Sequence, residues 1–323
     1  FAALWRGNLA LMVVMVGAMG LQSALFSPAL NGSLPELFPR ERLVWVNGIL
    51  RVGVTLGILA GVASAGMALD LPLPKLGHVP WGRGLVGLGV LSFSLAGWAL
   101  AWLIPRRGAS DPSRPFPWSG PWETLRELRS IGADRPLGRI LLLDALLWSM
   151  GVFQLLLINA LGKEQFGFSD RATSLLVMAQ MLGLAVGGLG AAHGAQGKAW
   201  LRMLAPSAWL MALGMGLVWL VPQTALALQN PLLFGGVALA GLGGGLLLVP
   251  TETFLQARPA PERKGATWAA ANFASFSGMT LASGLYILVN RVAPTHAYGG
   301  LAALSLAIAL WLMVELRHPA WEG

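Results

Sequence analysis

Nine blocks of apolar residues recur along this sequence, each roughly 18–25 residues long and so able to cross the ~30 Å hydrocarbon core of a bilayer as a helix. Lipid offers no partner to an open backbone, so apolar runs of this length are confined to helices whose amide groups bond within the same segment. The expected fold class is therefore an all-α integral membrane protein with nine transmembrane helices, at about residues 8–29, 43–67, 84–104, 140–161, 171–192, 201–221, 231–256, 266–290 and 298–316. Composition agrees: 11% of the 323 residues are charged, where soluble domains carry about a quarter. There is no cysteine, and the histidines (His78, His193, His296, His318) are scattered. Disulfides, thiolate nucleophiles and Cys-ligated metals are excluded, and neither a metal site nor a cofactor is expected. No nucleophile motif accompanies the Ser, His and acidic residues, so the chain reads as a non-enzyme.

A net charge of +8 would suggest nucleic acid in a soluble protein, but these basic residues sit beside apolar blocks and read as membrane orientation, with no nucleic-acid partner. Alternate loops divide the Lys and Arg residues fifteen to six, with Arg51 inside a span. The richer side holds Arg40, Arg42, Arg106, Arg107, Arg114, Arg258, Arg263 and the C-terminal Arg317, which places it in the cytoplasm. One long connection interrupts the chain, from Pro105 to Gly138. After Pro121, Trp122, Leu125, Leu128 and Ile131 recur at every third residue, as in a short amphipathic helix at the membrane surface or, alternatively, within a solvated linker.

An internal repeat is also visible. Pro28 and Pro250 are 222 residues apart, and so are Pro39 and Pro261; Arg40-Glu41-Arg42 and Glu262-Arg263-Lys264 share that offset. The first span thus matches the seventh in the same membrane orientation, giving a repeat unit of six helices. The first three spans then correspond to the last three, and the fourth to sixth have no counterparts upstream. The expected organisation is residues 1–104 as three helices of an N-terminal six-helix half, 105–138 as a cytoplasmic connection, and 139–323 as a six-helix C-terminal half. Three helices of a twelve-helix parent are absent from this reading.

Leu21-Gln22-Ser23-Ala24-Leu25-Phe26-Ser27-Pro28-Ala29, Gly32, Leu34-Pro35-Glu36-Leu37, Leu43-Val44 and Asn47-Gly48 together resemble the signature of the bacterial lysophospholipid transporters, a branch of the major facilitator superfamily. Gly243-Gly244-Gly245, Val249-Pro250, Leu255-Gln256 and Asn272 extend the resemblance to the second half. It implies a multi-pass protein of the bacterial inner membrane that carries lysophospholipid by alternating access and supplies cytoplasmic re-acylation. Membrane lipids and an acyltransferase are the implied partners. Leu30-Asn31 and Arg51 stand where that family has Lys-Tyr and Glu, which leaves room for an exporter of another amphipathic molecule or drug. A noncatalytic membrane domain anchoring an acyltransferase is the reading from another class.

Charges within spans are costly, at about 2.5–3.5 kcal/mol on insertion scales, and mark functional positions. Arg51 lies nine residues past Arg42, about 13 Å further into the membrane. It is expected either to grip a lipid phosphate or to pair with a carboxylate that locks the two halves together. Asp144 is a proton-coupling carboxylate, a receptor for an ammonium head group, or one arm of a cytoplasmic salt bridge. Asn31, Asn47, Gln22 and Gln154 complete the expected substrate-binding set, the last two because the resemblance puts their helices around the cavity. Glu252, Pro28 and Pro250 are assigned to gating. Asn159, Gln180 and Asn272 read as hydrogen-bonding links between helices, the glycine runs 183–187 and 241–245 as sites of close helix approach, and Trp200 and Tyr298 as interfacial anchors.

Overall fold

The computed structural model describes residues 8–70, 75–76, 79–103, 119–195 and 199–321. Among these, nine helices are long and apolar enough to cross a membrane: α1 (Leu9–Leu37), α2 (Leu43–Asp70), α3 (Trp81–Ala101), α5 (Arg135–Ala160), α6 (Asp170–Gly194), α7 (Ala199–Leu220), α8 (Leu226–Ala257), α9 (Lys264–Val289) and α10 (Pro294–Glu315). The shorter α4 spans Gly120–Ala133. Between α2 and α3 a small antiparallel ladder pairs Lys75 with Pro80 and Leu76 with Val79; the sequence reading had no strand there. Of the arginines expected in the long connection, Arg106, Arg107 and Arg114 lie outside the described residues.

The largest difference from the expected spans is at the end of α1, which runs to Leu37 where the expected span stops at residue 29, whereas α8 ends at Ala257, beside its expected end at 256. Each continues through an interior proline, Pro28 in α1 and Pro250 in α8, to Leu37 and Ala257. Proline removes one backbone hydrogen bond, and in membrane helices side chains and neighbouring helices compensate for it. Beyond Pro250, the Thr251 hydroxyl donates to the Leu247 carbonyl (2.7 Å) and the Thr253 hydroxyl to that of Val249 (2.8 Å). Both helices are followed by a 3₁₀ turn, Arg40–Arg42 or Pro261–Arg263, that leads into the next long helix. The ends of α1 and α8 are thus locally alike: each helix contains an interior proline and is followed by a charged turn.

The described chain divides into two compact units. One comprises α1 up to Ala29, α2 from Leu56, and α3; the other comprises Leu30–Thr55 and the chain from α4 onward. In the second unit α8 is central, flanked by α6 and α7; α10 packs on α7, and α9 on α5. Leu143, Ile158, Leu176, Leu204, Met215, Leu233 and Leu247 are fully buried there. Lipid is as apolar as leucine, so helices in a bilayer associate through close packing more than through exclusion of water. Glycine provides that closeness on both helices of the central pair. A Cβ at Gly183 or Gly187 would fall on the carbonyl of Ala238 or Leu242, and one at Gly241 or Gly245 on that of Gln180 or Leu184.

The amphipathic helix expected after Pro121 forms as α4, but its apolar residues do not share one face. A step of three residues turns about 300°, so over nine residues the stripe drifts to the opposite side. Ile131 is accordingly 1% exposed while Trp122 is 75% exposed. The inner face holds Glu127, which accepts from Arg263 (2.8 Å) and Thr267 (2.9 Å) and so fixes α4 to α9. Other arginines that encode orientation also tie helices together: Arg135 binds Glu315 at 2.8 and 2.9 Å, and Arg258 binds Asp134 at 2.9 Å. Tyr298, expected as an interfacial anchor, is instead completely buried, and Trp200 packs at 5.0 Å against Phe254.

Candidate functional site at the junction of α2, α5 and α8

Helix α2 presents Asn47 and Arg51, one turn apart, on a single face, and α8 answers with Glu252 and Gln256 at the same spacing. Gly48 allows the approach of α2 to α6: a Cβ there would lie 2.6 Å from Ala192 Cβ and 2.8 Å from the Gly188 carbonyl. Arg51 pairs with Glu252, the two side chains being 14% and 11% exposed. Its guanidinium also lies 5.2 Å from the centroid of the Trp148 ring on α5, a cation–π contact that strengthens as water is removed. Of the two roles expected for Arg51, the carboxylate pairing is present in this conformation.

One turn toward the start of α2, a network of uncharged amides continues the contact. Asn47 Nδ2 donates to Thr253 Oγ1 (3.0 Å) and to Gln256 Oε1 (2.7 Å). Gln256 Nε2 in turn donates to the Oδ1 atoms of Asn47 and Asn31, at 3.2 Å each. Asn47 and Gln256 are buried, at 5% and 2% exposure. Asn47→Leu would leave the buried Gln256 Oε1 without the donor shown here, at a cost of about 1–3 kcal/mol. A lowered melting temperature in detergent, measured beside an exposed control such as Ser94→Ala, is the expected result.

Asp144 lies one turn before Trp148 on α5. It is 4% exposed; Oδ2 accepts from the Ser275 hydroxyl of α9 at 2.9 Å, whereas Oδ1 has no hydrogen-bond partner. Arg51 and Glu252 both act on it electrostatically. One buried cation therefore serves two buried acids. Beside this cluster, Arg40, Glu41, Val44, Trp200, Pro250, Thr253, Phe254 and Ala257 line a cleft of about 260 Å³. That is below the roughly 300–1,000 Å³ of sites that enclose small molecules, and α2 and α8 touch directly through the bonds described above.

Arg51, Asn31, Asn47 and Glu252 are thus brought together, with Asp144 beside them and Pro250 on the adjoining cleft. Gln154 instead accepts from Gln180 Nε2 at 2.9 Å, linking α5 to α6, and Asn159 donates to the Leu155 carbonyl of its own helix. Gln22 and Pro28 lie on the part of α1 that belongs to the first unit, and Gln22 is exposed. Four contributors had no role in the sequence reading: Trp148, Thr253, Gln256 and Ser275. The repeated four-residue spacing, Asp144 to Trp148 and Glu252 to Gln256, was the available signal for two of them.

The sequence matches the Major Facilitator Superfamily over residues 1–283. It is similar to the "Lysophospholipid transporter LplT" of Citrobacter koseri, 28% identical over 312 residues that cover 91% of this chain and 71% of the relative. The protein of the same name from Enterobacter sp. (strain 638) is 27% identical over 309 residues, 93% of this chain and 73% of that relative. That of Yersinia pestis (strain Pestoides F) is 29% identical over 290 residues, 87% and 66%. No solved structure matches the chain. Nine apolar helices among the described residues, a glycine-packed central pair and a family match over most of the sequence lead to one conclusion: this chain belongs to the Major Facilitator Superfamily.

Proposed function

We propose that the chain carries lysophospholipid across the bacterial inner membrane by alternating access between two six-helix halves, delivering it for cytoplasmic re-acylation. The observation that supports this best is a buried arginine whose only ionic partner among the described residues, Glu252, lies on another helix. A phosphodiester is a bidentate ligand for a guanidinium, as a carboxylate is. When the head group takes Arg51, Glu252 loses its cation and the α2–α8 contact loses its ion pair. Substrate would then stabilise the open arrangement relative to the closed one, as a ligand must if it is to shift a conformational equilibrium. In this account Asn31, Asn47 and Gln256 re-form the closed contact, and Pro28 and Pro250 let α1 and α8 flex.

The test is reconstitution of the full-length protein in liposomes with fluorescent lysophosphatidylethanolamine in the outer leaflet. Protein-dependent movement to the inner leaflet, competed by unlabelled lysophospholipid and not by a diacyl phospholipid, is the expected result. Lack of competition, together with transport of an unrelated amphipathic dye, would instead assign the chain to the export of other molecules.

A further inference from the structure

Helix α4 has a face that the transport reading does not use. At about 100° per residue, Trp122, Leu125, Arg126, Arg129 and Ala133 fall within roughly 100° of arc, and all five are exposed. The opposite face is held: Ile131 is buried, and Glu127 accepts from Arg263 and Thr267 at the start of α9. Asp134 alone separates the end of α4 from α5. Both attachments are to the ends of helices long enough to span a membrane, so α4 lies at the depth of the lipid head groups, where Trp is enriched.

Other arginines around α4 are engaged. Arg263 pairs with Glu127, Arg258 with Asp134, and Arg135 with Glu315. Arg126 and Arg129 are in no ion pair among the described residues. One stripe thus joins a tryptophan that is 75% exposed, an exposed leucine and two uncompensated guanidinium groups. An anionic lipid surface complements both kinds of group, the apolar ones between its chains and the cations on its phosphates. We propose that this stripe of α4 binds the head groups of anionic phospholipids, with Trp122 and Leu125 seated in the interface and Arg126 and Arg129 on the phosphates. The lipid held there is a diacyl component of the membrane and not cargo, so the inference stands apart from the transport reading.

In the full-length protein, freed of any other cysteine, Ala133→Cys places one thiol on the stripe for an environment-sensitive dye. Titration with dioleoylphosphatidylglycerol in neutral-detergent micelles should give a saturable blue shift. Dioleoylphosphatidylcholine should bind far more weakly, and inorganic phosphate should give no shift. A basic residue near an anionic surface contributes about fivefold in affinity, so Arg126→Gln with Arg129→Gln should weaken phosphatidylglycerol binding about 30-fold. Arg126→Lys with Arg129→Lys should keep most of it, because the surface acts on charge, whereas a structural role for the guanidinium groups would not be rescued. Arg171→Gln, beyond the far end of α5, should bind as wild type. Equal affinity for the two lipids, full affinity in the Gln pair, or a shift reproduced by inorganic phosphate would overturn the proposal. No saturable shift with either lipid would also overturn it and leave the face to a protein partner.

Discussion

Arg51→Ala is expected to lower lysophospholipid transport by about 30-fold or more. Truncating one partner of a buried, hydrogen-bonded charge pair costs about 2–5 kcal/mol, and each 1.4 kcal/mol corresponds to about tenfold. Two losses combine here. The head group loses its guanidinium, and Glu252 is left buried without a cation, which penalises the closed contact. Arg51→Lys keeps the charge but not the planar fork, and so should recover only part of the flux. Gln180→Ala removes a hydrogen bond between α5 and α6, of the kind worth about 1 kcal/mol or less in membranes, and should stay within a few-fold of wild type. Initial uptake rates for the three variants, normalised to reconstituted protein, provide the measurement. Equal losses in Arg51→Ala and Gln180→Ala would remove Arg51 from its proposed role.

Gly241→Leu is expected to be the most damaging single substitution to the fold itself. The direction in which a Cβ would grow from Gly241 runs into the backbone carbonyl of Gln180, and a backbone cannot step aside as a flexible side chain can. Overpacking in well-packed interiors costs about 1–3 kcal/mol and occasionally more; four additional carbons directed at a main chain belong at or above the top of that range. Helix α8 is the element on which α6 and α7 both pack, so the loss spreads to the whole second unit. Detergent-solubilised Gly241→Leu should be recovered mainly as aggregate on size exclusion. By contrast, Gly216→Ala should behave as wild type, since nothing lies within 4 Å of a Cβ at that position.

The comparison between Gly241 and Gly216 also illustrates how far sequence reading extends. Span number and approximate placement followed from apolar length, because lipid admits so few alternatives. The glycine runs in α6 and α8 marked close packing correctly and so set Gly241 apart from Gly216, but they do not tell which backbone each Cβ would meet, since that lies in a neighbouring helix. The end of α1 lies at Leu37, beyond the expected residue 29, because Asn31, Ser33 and Glu36 end the apolar run without ending the helix. Arg51, Asn47 and Glu252 could be selected one by one as polar groups in expensive places. Their pairing required helices separated by 201 residues in the chain to meet, and no local pattern encodes that. For the same reason Gln154 could be recognised as a functional or linking residue, while its bond to Gln180 could not be anticipated.

The central claim is that the contact between α2 and α8 must open and close for transport. The absence of cysteine from the sequence makes a direct test possible, because Asn47→Cys with Gln256→Cys would introduce the only two thiols in the described chain. Lysophospholipid uptake should be near wild type or moderately reduced while the pair is reduced, fall to background when it is oxidised to a disulfide, and return on addition of reductant. Oxidised protein that is fully crosslinked and still transports at the reduced rate would contradict the account.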